Sequence, residues 1–380
     1  MYSAALLGVA LASSAVTVAV RPTRTVTVST VPAAPVGAHL FRVQLAQPAT
    51  PRRRPAVHRH VRHAVRTAAP KPVPESQAAP APRTTPSLYE RTTSPVVLHA
   101  QGCRAGKAST NGIVILDFGK PDFGYGSYGT ITFADRFVTN AQITQGMEAY
   151  AQGYVTCLPG HAQAKIVLVR GTSNYALHTV PSGVTAGRLW AEETGKFGTW
   201  LRQQGLDAHV AAAAGDDAEP AWDRTFTRTY NFFRGFGSAA NGYLLYNYGS
   251  LDGGPGQIWS VQQAFYVTTG MRYARAVPEI YTQTMAKQWA LLSRLAAERY
   301  GKPVNFVGVM TQHSKECQAG CYTPAEAHTA LVHELAKSPE TRVRMLASAT
   351  NIGTPAPVSR RPSTARGPSA PRRGARAVRA

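Results

Sequence analysis

Acidic residues are scarce in this 380-residue chain: 20 Asp and Glu stand against 41 Lys and Arg, for a formal net charge of +21. The shortage is uneven. No acid follows Ile352, where seven arginines fall, and two acids face twelve basic residues between Arg21 and Ser94. That leaves 22 basic and 18 acidic residues from Pro95 to Ile352. The charge therefore describes two arms, 21–94 and 353–380, and not the fold between them. The arms also have few aromatics and no apolar periodicity, and their Pro/Ala/Arg/Thr composition is that of disordered chain. No recognised nucleic-acid module or aromatic interleaving accompanies their charge, so nucleic acid is not the expected partner. Two readings stay open: peripheral attachment to an anionic cell-envelope polymer or membrane surface, and a solvated linker that provides reach. On either reading, trimming to Pro95–Ile352 is expected to leave the fold intact.

Long apolar runs are lacking as well. Met1–Val20 is the one uncharged apolar stretch, with small residues at Ala10, Ala12, Ser13 and Ala15, but no basic leader precedes it. A signal peptide is expected over 1–20, with a signal anchor as the alternative, and a secreted or cell-surface location follows. Cysteine is limited to Cys103, Cys157, Cys317 and Cys321. ECQAGC has no second cysteine pair, and His313 is its one candidate helper, so no metal is expected; nor is a cofactor. An even count in an exported chain reads as disulfides, and Cys103–Cys157 with Cys317–Cys321 is the most economical of three connectivities.

What remains, 95–352, approaches the ~250 residues of one α/β barrel. Strand-like and helix-like segments alternate along it. Strands are expected at Ile113–Phe118, Lys165–Arg170, Val210 onward, Gly242–Tyr248, Ala276–Tyr281 and Val304–Met310. Helices are expected at Ala141–Tyr154, Val184–Gln204, Ile258–Thr268, Thr284–Tyr300 and Pro324–Ala336. Six βα-like units are two short of a closed (β/α)8 TIM barrel, and Val96–His99 and Thr130–Phe133 are the candidates for the missing strands. Trp190, Phe197 and Trp200 fall at helical spacing and read as core.

The stretch Val210–Trp222, VAAAAGDDAEPAW, organises the site. A buried strand of small residues breaks at Gly215 into Asp217 and Glu219, which share a face if the chain stays extended. Two carboxylates there repel, and their pKa values move apart, which is the raw material of acid/base chemistry. The same strand-end logic brings Asp117, Arg170, Asn174, Tyr175, Trp222, Tyr246, Glu279 and Tyr281 to one rim. Carboxylates beside aromatic faces suit a sugar. Glu219 would be the general acid and Asp217 its partner, oriented for substrate assistance; Asp117 or Glu279 could instead complete an opposed pair. For Arg170 a buried ion pair is the competing role.

The set ILDFGKP, LVRGTSNY, AGDDAEPAW, YNYGS, PEIY and VGVMTQ resembles a group of exported actinobacterial glycoside-hydrolase-like barrels, over roughly Gly112–Gln312. D-x-E-P is also similar to the strand motif D-x-D-x-E of chitinase-type glycosidases, with Gly215 in place of the first Asp. The resemblance implies a barrel and a protein acting on, or binding, a cell-envelope or extracellular glycan. A non-catalytic carbohydrate-binding barrel and a surface scaffold tethered by basic arms are the alternatives.

Overall fold

The computed structural model describes residues 82–313, 317, 320–342 and 348–355. The expected signal at 1–20, the arm up to residue 81 and the tail from residue 356 lie outside the described residues. In chain order the elements are β1 (Arg83–Tyr89), α1 (Pro95–Lys107), β2 (Gly112–Asp117), β3 (Lys120–Gly124), β4 (Ser127–Ile131) and β5 (Phe137–Thr139). They continue as α2 (Asn140–Thr156), β6 (Ile166–Ser173), α3 (Gly183–Gln203), β7 (Val210–Asp217), α4 (Thr227–Ala239) and β8 (Leu245–Asn247). The last are α5 (Val261–Phe265), β9 (Ala274–Ala276), α6 (Gln283–Tyr300), β10 (Val309–Thr311), α7 (Pro324–Leu335) and β11 (Ser348–Gly353).

Eight parallel strands run in the order β10-β11-β1-β2-β6-β7-β8-β9. Parallel bridges Ala276↔Phe306 and Glu279↔Met310 join the two ends, so the sheet is a nearly closed, irregular (β/α)8 barrel. Its interior is filled by side chains such as Ile113, Ile115, Val169, Tyr246, Tyr248, Met310 and Ile352. The layer between strands and helices holds most of the other apolar residues, including Trp190 and Phe197 of α3 as the helical spacing predicts. The short strands β3, β4 and β5 form a separate antiparallel sheet after β2.

The two missing strands are not where the sequence placed them. Val96–His99 lies within α1, and Thr130–Phe133 overlaps β4 of the small antiparallel sheet. The barrel is completed instead by β1 and β11. The boundary expected at Pro95 is therefore wrong by a whole strand. RTTPSLY has few apolar residues because its inward side chains are hydroxyls that replace ladder hydrogen bonds. β1 pairs with β11 along Arg83–Leu88 but with β2 only at Leu88 and Tyr89. Where β1 and β2 diverge, the Ser87 hydroxyl accepts from the Ile115 N–H at 2.7 Å and meets Thr350 Oγ1 at 2.5 Å. Ser348 Oγ accepts from the Ile113 N–H at 3.2 Å, and Thr85 donates to the Ile113 carbonyl.

Helices α1 and α2 approach so closely that a Cβ on Gly102 would sit 2.0 Å from the Tyr150 carbonyl oxygen. The Cys103–Cys157 disulfide locks this pair, with a Cα–Cα distance of 5.0 Å, and Cys317–Cys321 is the second bridge. Both match the expected connectivity. Cys103–Cys157 closes a loop across 54 positions, for which chain entropy gives about 4 kcal/mol. A Cys103→Ser/Cys157→Ser variant should lose up to that amount in urea unfolding; an unchanged midpoint would show that α1 and α2 hold the loop without the bond.

Candidate functional site

Strand β7 delivers the site because small side chains let it run buried to its last residue. Alternation turns Ala213, Gly215 and Asp217 to the barrel interior and Ala214 and Asp216 outward. A Cβ on Gly215 would lie 2.7 Å from both Tyr248 Cε1 and Val169 Cγ1. The Tyr248 ring thus occupies the space that the first acid of a D-x-D-x-E motif would need, and its hydroxyl donates to the Thr172 carbonyl at 2.7 Å.

Three carboxyls meet at the carboxyl edge. Oxygens of Asp217, Glu219 and Glu279 lie within 4.8 Å of one another. Asp217 ends β7, Glu219 follows two residues on, and Glu279 follows β9 at the bridge that closes the barrel. Glu219 is held by its backbone: Asn174 Oδ1 accepts its N–H at 3.0 Å, and Asn174 Nδ2 donates to its carbonyl at 2.9 Å. Its side chain is hydrogen-bonded to Ser250 and to Glu279, and Tyr281 donates its hydroxyl to Glu279. Three ionised carboxylates cannot coexist at this spacing in a buried site, so protons are shared among them. Burial pushes Glu219 up to about 7, helped by the nearby Asp252. Burial and then the Glu219 charge hold Glu279 well above the carboxylate range; burial and then Glu279 do the same for Asp217. The same three oxygens would suit a hard divalent cation, but the Ser250 and Tyr281 donors already serve the proton-sharing arrangement.

Beside this cluster opens a cleft of about 530 Å³. Asp117 and Asp217 reach its lining from β2 and β7, and Tyr175 and Trp222 stand on one side with ring centroids 5.5 Å apart. Tyr89 and Phe133 form a second pair at 4.7 Å, and Gln312 donates to the Tyr89 hydroxyl at 3.0 Å. Lys120 Nζ sits 5.9 Å from the Tyr175 ring centre.

The structure therefore brings together Asp117, Tyr175, Asp217, Glu219, Trp222, Glu279 and Tyr281 from the expected set. Three others are placed elsewhere. Arg170, 1% exposed, points outward into the helix layer, where it donates to Thr144 Oγ1 and Asn140, stacks on Trp190 at 4.0 Å and lies 4.0 Å from Glu193. Its pairing role holds, with Glu193 and not an aspartate as partner. Asn174 is buried, and its amide is spent on Glu219 and Thr229, so it positions the acid and does not face the cleft. Tyr246 is buried in the barrel interior opposite Gly215, one layer below Asp217. Tyr89, Phe133, Lys120 and Ser250 were missed. Tyr89 fell in the segment assigned to the arm, and Lys120 and Phe133 belong to the inserted sheet and the loop after β4, which no barrel period announces.

Glu90, next to Tyr89, is fully buried; one of its oxygens accepts from Gln101 at 3.3 Å and the other has no partner among the described residues. Burial pushes its carboxyl up to about 8, and Asp117 up to about 7. A carboxyl raised in the folded state binds its proton more tightly there than in the unfolded chain. The stability it contributes is full below about pH 4.5 and is lost as pH rises through 8. Urea unfolding should therefore show a less stable barrel at pH 8.5 than at pH 5, with Glu90→Gln recovering about 1–3 kcal/mol at the higher pH. Equal stability of wild type at the two pH values would contradict this.

No family model matches the chain, and no curated protein does. The solved structures to which it is similar are glycoside hydrolases at low identity. One, described as a glycoside hydrolase, is 8% identical with a TM-score of 0.37; the match covers 72% of this chain and only 61% of that one. An endoglucanase of Pseudomonas stutzeri in complex with cellobiose is 9% identical with a TM-score of 0.36, covering 73% and 88%. A family 5 glycoside hydrolase from Bacteroides vulgatus is 14% identical with a TM-score of 0.30, covering 69% and 55%. Such folds host many chemistries, so the functional argument rests on the site itself.

Proposed function

We propose that this barrel binds a cell-envelope or extracellular glycan and cleaves it by acid catalysis from Glu219. One observation carries the reading: the hydrogen-bonded carboxyls of Glu219 and Glu279 meet Asp217 within 4.8 Å, at the carboxyl edge and next to an aromatic-walled cleft. Glu219 is the partly exposed member of the pair, so its proton is the one a glycosidic oxygen can reach. The proton passes to the leaving oxygen as the bond to the anomeric carbon breaks. Positive charge then grows on the sugar as Asp217 passes its proton to the newly ionised Glu219, and the Asp217 carboxylate stabilises the transition state more than the neutral ground state. Water completes the cleavage and returns a proton to Asp217. The carboxyls stand closer than the ~6.5–9.5 Å that an inverting pair needs for its water. Asp217 approaches from the same side as the acid, which suits orientation of the sugar's own 2-substituent.

Two disulfides, and the lack among the described residues of any helix able to cross a membrane, are compatible with an extracellular place of action. Attachment through the basic arms belongs to the same proposal. The test is release of new reducing ends from purified envelope polysaccharide and soluble β-linked glycans by the full chain. Binding without cleavage would leave a carbohydrate-binding barrel.

A further inference from the structure

The reaction proposed above uses Asp217, Glu219 and Glu279 but leaves Asp117 idle. Asp117 is 1% exposed, yet it lines the cleft. Its Oδ1 accepts the Gly119 N–H at 2.8 Å; Oδ2 has no hydrogen-bond partner among the described residues. Tyr248 lies close, but its one hydroxyl proton goes to the Thr172 carbonyl. A buried carboxyl oxygen without a donor, on a residue that lines a cleft, is costly unless a ligand supplies the donor.

The surroundings say what kind of donor fits. Tyr89 is the register partner of Asp117, and its ring packs on Phe133, so an aromatic pair lines the same cleft as Asp117. Aromatic rings and a carboxylate together favour a cation over a neutral hydroxyl. The one cationic side chain lining the cleft, Lys120, lies by Tyr175 and makes no ion pair with Asp117 among the described residues. At about 530 Å³ the cleft is large enough for a sugar and far larger than a lone ion requires.

We propose that the cleft takes a sugar bearing a free amine, an unacetylated 2-amino-2-deoxyhexose unit, with its ammonium on Asp117. This deepens the glycan reading and rests on it. The protein's charge sharpens the point, because a formal +21 repels a polycation and any preference for the amine must come from this site.

Three tetramers with the same β-1,4 backbone isolate the C2 group: glucosamine, N-acetylglucosamine and glucose. Calorimetry on the full chain should show the glucosamine tetramer binding about 10–100-fold more tightly than cellotetraose, the range expected for one charge-assisted hydrogen bond. Asp117→Asn should bring the two within about threefold while cellotetraose affinity is unchanged, which also reports an intact cleft. Equal or tighter binding of either neutral tetramer overturns the amine proposal and leaves the glycan reading standing, as does a preference that survives Asp117→Asn. Spermine binding as tightly as the glucosamine tetramer also overturns it, since the cleft would then recognise an amine without a sugar. If none of the three tetramers binds, the glycan reading falls with it.

Discussion

Glu219→Gln should reduce turnover by about 10²–10⁴ and leave the fold unchanged. The amide keeps the shape of the carboxyl and the hydrogen bonds that Asn174 makes to the backbone, but it has no proton to deliver. Glycan affinity should persist, because the aromatic pairs Tyr175–Trp222 and Tyr89–Phe133 lie outside the proton-sharing pair. Asp217→Asn should also lower turnover strongly, and for a different reason: it removes the charge that grows in step with the oxocarbenium ion. The two variants separate in their pH profiles. Burial places the Glu219 proton near 7, so wild-type turnover should fall as pH rises past that point. Asp217→Asn should leave this limb in place, because burial and Asp252, not Asp217, raise Glu219. A limb displaced in Asp217→Asn would show that Asp217 carries charge in the resting site. Turnover by Glu219→Gln within threefold of wild type would remove the acid assignment altogether.

The second large effect concerns the ends of the barrel. A fragment starting at Pro95 lacks β1, and with it both neighbours of that strand lose a partner. β11 loses six register pairs; β2 loses the hydroxyls that satisfy the Ile113 carbonyl and the Ile115 N–H. Two open edges in a sheet built as a closed ring, with apolar residues on both faces, remove a stabilisation comparable to the whole ~5–15 kcal/mol of a folded domain. That fragment should show no cooperative melt. A chain starting at Pro82 should melt within a few degrees of the full protein, because the strand is then complete. A sharp transition from the Pro95 fragment would mean that some other segment replaces β1.

How much of this was legible beforehand differed from strand to strand. IVILDF and VAAAAGDD announce themselves, since a strand buried on both faces is a continuous apolar run. RTTPSLY and SATNIG do not: their inward positions are Thr85, Ser87, Ser348 and Thr350, and nothing in an isolated hydroxyl reveals that it will cap a neighbouring strand's backbone. Pro86 counts further against a strand, although β1 tolerates it because no N–H is needed on that side of the ladder. The acids were readable from β7 because alternation is strict. Arg170 was misplaced by the same rule: in an eight-residue strand that continues to Ser173, position 170 faces the helices. The end of a strand has to be known before its last inward residue can be named.

The seam of this barrel joins the two extremes of its folded sequence. The Ser87–Thr350 contact spans 263 positions, and the Thr350–Thr85 bond spans 265. A chain emerging from the ribosome cannot close the ring until nearly all of it has been made, because the partner of its first strand is the last to appear. Non-local closure of this kind makes folding slow.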